Sequence, residues 1–130
     1  MRVILFRGKG ALRNEAWFEG YLVKTGDHFR ISVMNDMVSH GVRPETVGQY
    51  TGLTDKNGKR IFEGDIVREL GSVKRTYEVM FDEGRGGWYP FACGDGCGCC
   101  EDEVATAEWC EVIGNIHDHP ELIAEVRINA

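Results

Sequence analysis

The sequence predicts a mainly β fold, a small antiparallel barrel or roll. Three observations carry that expectation. Short apolar runs rich in aromatic and β-branched residues recur along the chain. Seventeen glycines but only three prolines punctuate 130 residues, the pattern of many tight turns. Residues 44–67 spell out a compact β unit in which each turn is encoded by its own residues.

Val3 to Phe6 reads as a first strand. Glu15 to Val23 carries Trp17, Phe18, Tyr21 and Val23, and the turn Lys24-Thr25-Gly26-Asp27 returns it to Phe29 to Met34. This is an N-terminal β-hairpin. Asn35 to Arg43 has no clear period and reads as a loop. Val47 and Tyr50 then open an apolar run that breaks at Gly52. Asp55-Lys56-Asn57-Gly58 is a hairpin turn, because Asn-Gly readily takes positive backbone angles. Ile61 and Phe62 lead to a second turn at Glu63-Gly64-Asp65, and Ile66-Val67 start the next strand.

Val73 to Phe81 alternates apolar and polar positions and predicts one half-buried antiparallel strand. Gly84, Gly86 and Gly87 form a turn, and Trp88-Tyr89-Pro90-Phe91 reads as a short edge segment, since proline donates no ladder hydrogen bond. Residues 92–103 are a loop of Gly, Cys and acidic residues. Trp109 to Ile116 is a last strand, broken at Gly114-Asn115. His117 to Ala124 predicts a short C-terminal helix, with Asp118 as N-cap and Glu121 in capping-box spacing. The expected core residues are Tyr50, Ile61, Phe62, Ile66 and Val67.

Segment 44–67 closely resembles the signature of the YopX family, small proteins of bacteriophages and prophages. The resemblance extends to Phe6-Arg7-Gly8-Lys9 with Trp17-Phe18-Glu19-Gly20-Tyr21, and to Glu111-Val112-Ile113-Gly114-Asn115-Ile116-His117-Asp118-His119-Pro120-Glu121-Leu122. It implies a single YopX-like domain over residues 1–130 with an SH3-like barrel or roll. It implies no catalytic residue, because the family has no established activity. The stretch between Phe91 and Trp109 departs from the family pattern as a cysteine-rich insertion.

One domain suits this length, and 42% hydrophobic with 28% charged residues is ordinary for a globular chain. The formal net charge of −6 argues against a general DNA coat. Lys56, Lys59 and Arg60 do cluster at one turn, either as a solvated hairpin tip or as the rim of a nucleic-acid site. No apolar run approaches the ~20 residues of a membrane-spanning helix. The apolar stretch before Arg7 is too short for a signal peptide, so a cytoplasmic location in a bacterial host is expected.

Cys93, Cys97, Cys99 and Cys100 crowd one loop, and Cys110 follows. Zinc is bound tetrahedrally by thiolates, but the spacing here is irregular, and adjacent Cys99 and Cys100 point apart. Zinc ligation, with Cys110 or His117 completing the set, stands beside free thiols and disulfides as a reading of this loop. A cytoplasmic setting disfavours disulfides. His117 and His119 flank Asp118 but share a face only in an extended segment.

No nucleophile motif or metalloprotease spacing occurs, so no enzymatic activity is expected. Turn chemistry and burial account for most of the signature. They leave Thr46, Gln49, Thr51 and Glu63 as polar residues that either line a groove or satisfy buried backbone groups. Trp88 and Tyr89 beside a glycine turn suit an interface hot spot. The expected function is a noncatalytic β-barrel binding module for a host or phage protein. Nucleic-acid binding and structural self-association through strand edges are the alternatives.

Overall fold

The computed structural model describes residues 3–11, 16–33, 38–71, 74–84, 87–91 and 107–124. It is mainly β, with eleven strands among the described residues. These are β1 (Phe6–Lys9), β2 (Trp17–Thr25), β3 (His28–Val33), β4 (Ser39–Val42), β5 (Gly48–Thr54) and β6 (Arg60–Phe62). They continue with β7 (Asp65–Glu69), β8 (Thr76–Glu78), β9 (Met80–Asp82), β10 (Gly87–Tyr89) and β11 (Cys110–Asn115). Strand order is β4-β3-β2-β1-β5-β6 in the largest sheet, β11-β7-β8 in a second and β10-β9 in a third.

That topology corrects the predicted SH3-like barrel or roll. The strands divide among three separate sheets and, among the described residues, close no barrel. Turn-rich sequence fixes where strands reverse but not which edges meet, and closure depends on the latter.

The chain forms two compact units, Met1–Gly52 and Leu53–Ala130. In the first, β2 and β3 make the predicted hairpin around Gly26, whose φ of 61° suits glycine. Leu22 lies opposite Ile31, which is fully buried, while Tyr21 and Val23 point to the other face and are exposed. The first strand falls at Phe6–Lys9, later than expected. The predicted loop Asn35 to Arg43 contains β4, paired with β3 from Ser32↔Ser39 to Phe29↔Val42. Arg30 secures it, donating from Nε to Ser39 Oγ and from a terminal nitrogen to the Ser39 carbonyl, both at 2.7 Å. The end of β4 also turns back to β1: Arg43 N–H donates to the Lys9 carbonyl at 2.9 Å and Ala11 N–H to the Gly41 carbonyl at 3.0 Å.

The second unit packs Ile61, Val67, Tyr77, Val79, Phe91, Ala107 and Cys110 into one apolar core. The single strand predicted over Val73 to Phe81 is two. β8 pairs with β7, and β9 pairs with β10 instead. The break falls at Val79, which is fully buried and locked to the second signature turn. Its N–H donates to the Asp65 carbonyl, and its own carbonyl accepts from Gly64 N–H, both at 2.9 Å. The strand β11 runs against β7 with a register shift between Val112 and Gly114, next to the predicted break.

The predicted helix over His117 to Ala124 is also corrected. Among the described residues no helix reaches seven residues; this segment holds the 3-10 turn Pro120–Leu122, with Ile123 and Ala124 helical after it. Asn115, rather than Asp118, organises it. The buried Asn115 Oδ1 accepts from His117 N–H at 3.0 Å and Asp118 N–H at 2.9 Å. Asp118 accepts in turn from Asn115 Nδ2 at 3.2 Å, and the position before the 3-10 turn is His119 rather than Asp118.

Candidate functional site

The signature segment is a set of backbone ties made by acidic side chains. Asp55 sits at the start of the β5–β6 turn and is 5% exposed. Its Oδ1 accepts from Asn57 N–H at 2.8 Å and Lys59 N–H at 2.9 Å, the fold-back that short acidic side chains make in turns. Its Oδ2 reaches 57 positions along the chain to accept from Val112 N–H at 3.0 Å. Beside it, Lys56 N–H donates to the Cys110 carbonyl at 3.0 Å. The turn thus supplies hydrogen-bond partners to β11 in place of a further strand. Burial acts to raise the Asp55 pKa, but the three backbone donors and the Lys59 charge outweigh it and hold the carboxyl below its ordinary 3.8.

Asp65 does the same at the second turn. It is 1% exposed, and its Oδ2 accepts from Phe62 N–H at 2.8 Å. Gly58 and Gly64, at φ 78° and 90°, give these turns the left-handed backbone they need.

The four polar residues left over by the sequence reading fall in different environments. Thr46 is buried in the 3-10 turn Pro44–Thr46. Its hydroxyl donates to the Arg43 carbonyl at 2.6 Å and accepts from Lys9 N–H at 2.9 Å, so it ties that turn to β1. Gln49 and Thr51 are half-buried on one face of β5, Gln49 opposite Phe6. Glu63 is half-buried in the turn between β6 and β7.

The aromatic candidates lie on the β9–β10 hairpin. Trp88 is directly opposite Phe81, with ring centroids 5.1 Å apart. Tyr89 is opposite Met80 and meets Tyr77 edge-on at 6.1 Å. Trp88 and Tyr89 are half-buried against the core, whereas Met80 and Phe81 are 45% and 43% exposed. Sequence alternation placed Phe81 on the inner face with Tyr77 and Val79. The break at Val79 turns it outward instead, and only the pairing of β9 with β10 reveals that.

Of the cysteine candidates, Cys110 lies in the apolar core and is fully buried. Burial, then the nearby Glu69 and Asp55 charges, push its thiol up to about 11, away from the thiolate a metal requires. Cys93, Cys97, Cys99 and Cys100 lie outside the described residues. Among the described residues no group of three or more His, Cys, Asp or Glu could hold a metal ion. No described helix is long and apolar enough to cross a membrane.

The architecture defines a small, mainly β protein of short antiparallel strands whose recognisable motif is built from turns. The family profile of the YopX protein matches residues 14–124, and the chain belongs to the YopX family of small phage and prophage proteins. A solved structure with the same fold is the crystal structure of protein EF1440 from Enterococcus faecalis. It is 23% identical, aligns over 95% of this chain and 99% of that one, and has a TM-score of 0.54. Among the curated proteins none matches.

Proposed function

We propose that this protein is a noncatalytic binding module of the phage or prophage, acting in the host cytoplasm on a protein partner through the β9–β10 hairpin. The observation that carries this reading is the cross-strand pair of Phe81 and Trp88, with Phe81 and neighbouring Met80 held partly in solvent. Aromatic side chains fixed by a core contact bind with little loss of conformational freedom, which is how interface anchors work. The exposed Glu83 and half-buried Asp82 at the hairpin turn favour a partner that is basic beside an apolar side chain. The test is affinity capture from host lysate with the wild type and with Phe81→Ser. A partner retained by the wild type and lost by the variant is expected. Equal capture by both, or no specific capture across repeated lysates, would overturn the reading.

A second reading is nucleic-acid binding by Lys56, Lys59 and Arg60, all exposed about the same turn. It expects a low-salt gel shift of single- or double-stranded probes that a Lys59→Glu, Arg60→Glu variant abolishes. Absence of any shift removes it.

A further inference from the structure

Asn57-Gly58 is the one Asn-Gly step in the chain, and it is the step at which asparagine is chemically weakest. The backbone nitrogen of a following glycine can reach the asparagine side-chain carbonyl carbon, because no Cβ stands in the way. Asn57 and Gly58 are both exposed. Gly58, at φ 78°, has no atom beyond its chain neighbours within 4 Å of where a side chain would begin. Space and solvent access therefore leave this reaction open.

What opposes it is Asp55. Three successive amides donate to that one residue. Asn57 N–H, at 2.8 Å, and Lys59 N–H, at 2.9 Å, go to its carboxylate; between them Gly58 N–H goes to its backbone carbonyl at 3.0 Å. The Gly58 nitrogen is the attacking atom, and it must lose its proton to attack. In the closed turn a carbonyl holds that proton, and the amide anion left behind would lie beside a carboxylate. The bonds on either side fix the Gly58 peptide plane, so its nitrogen cannot swing towards the Asn57 side chain until they break.

We infer that Asn57-Gly58 is a latent deamidation site gated by Asp55, shielded while the turn is closed and unable to close again once isoaspartate has formed. The step needs water and no oxidant. The deprotonated Gly58 nitrogen bonds to Asn57 Cγ, the bond from Cγ to Nδ2 breaks, and Nδ2 takes up a proton and leaves as ammonia. Water opens the resulting cyclic imide at either carbonyl. Opening at Cγ restores the chain with an aspartate. Opening at the backbone carbonyl reroutes the chain through the side chain as isoaspartate, one methylene longer. A longer turn moves the amides off Asp55 Oδ1 and adds a second carboxylate to the turn. Because Asp55 also holds Val112 N–H, and Lys56 N–H holds the Cys110 carbonyl, the change loosens β11 as well.

Peptide mapping by mass spectrometry, after incubation in heavy-oxygen water at mildly alkaline pH, tests it, since each event at position 57 leaves a heavy oxygen. Wild type in denaturing urea is expected to deamidate there about tenfold faster or more than the folded protein, because opening must first break the bonds to Asp55. Folded Asp55→Ala should lose most of that protection. Should it fail to fold, Asp55→Ser takes its place, and the wild-type ratio stands without either. The isoaspartate form, separated by its added charge, should unfold at lower urea than the wild type. Asn57→Asp, with the same charge and a normal chain, should stay close to it. Equal rates in folded and unfolded wild type overturn the inference. So does protection that survives removal of the Asp55 carboxylate, or an isoaspartate form as stable as the wild type. None of these outcomes bears on capture through Phe81.

Discussion

Replacing Asp55 with Asn changes one oxygen for an amide at a signature side chain that holds three backbone groups. The wild-type carboxylate accepts three backbone N–H groups, from Asn57, Lys59 and Val112. An amide has one accepting oxygen. If that oxygen serves Asn57 and Lys59, the NH2 group faces Val112 N–H, donor against donor. A buried donor left unsatisfied costs about 1–3 kcal/mol, and exchanging charged for neutral acceptors in the other two bonds costs about 1 kcal/mol each. The sum is about 3–5 kcal/mol. With a urea m-value of roughly 2 kcal/mol/M, the unfolding midpoint falls by about 2 M. The loss should also depend on pH. Because the folded-state pKa lies below 3.8, the carboxylate's contribution is present above that value and disappears as pH falls through the lower folded one. Urea titrations followed by tryptophan fluorescence, at neutral pH and near pH 3, give both numbers. A loss under about 1 kcal/mol at neutral pH would falsify the argument, since even one orphaned donor costs that much.

Three further outcomes follow from named contacts. Gly20→Ala should cost at least about 3 kcal/mol, because its Cβ would stand 2.1 Å from the Ser32 backbone oxygen and neither strand can yield cheaply; a thermal melt shift of only a few degrees would contradict this. Thr46→Val should lose about 2 kcal/mol by stranding Lys9 N–H, whereas Thr46→Ser keeps both bonds and most of the stability; chemical denaturation of the pair separates hydroxyl from methyl. Cys110, raised to about 11, should resist alkylation at pH 8 until the protein unfolds, as peptide mapping by mass spectrometry would reveal. Its contribution to stability is complete below the ordinary 9.0 and is lost as pH climbs towards about 11.

Local chemistry was legible in the sequence and partner choice was not. The β2–β3 hairpin, the Asn57-Gly58 turn and the Glu63-Gly64 turn all follow from residues within a few positions of one another, and the structure places them there. Family membership was legible for the same reason, since the signature is a string of such turns. The strand β4 was not, because Ser39-His40-Gly41-Val42 has little strand propensity of its own and is held by β3 and by Arg30. Nor was the division at Val79, where alternation continues unbroken and only the bonds to Asp65 and Gly64 end one pairing and begin another. The C-terminal helix failed at its start: Asn115, three residues upstream of Asp118, takes the Asp118 amide that a Glu121 capping box would have used, together with that of His117, and the turn begins at Pro120 instead.

The same distinction bears on what the signature is for. Asp55 was recognisable as a turn residue, but its bond to Val112, 57 positions away, makes it also the clasp between the signature turn and the C-terminal strand. Thr46, set aside as polar without a turn role, joins two segments 37 positions apart through Lys9. Both are polar for reasons of long-range assembly, which neither spacing nor propensity discloses. A motif can therefore be highly recognisable because it closes a fold, and binding need not lie within it. In this protein the exposed aromatic side chain argued for binding, Phe81, lies outside residues 44–67. Partner loss on Phe81→Ser with an undisturbed melt would separate the two roles directly, since a folding residue cannot lose its partner without losing stability.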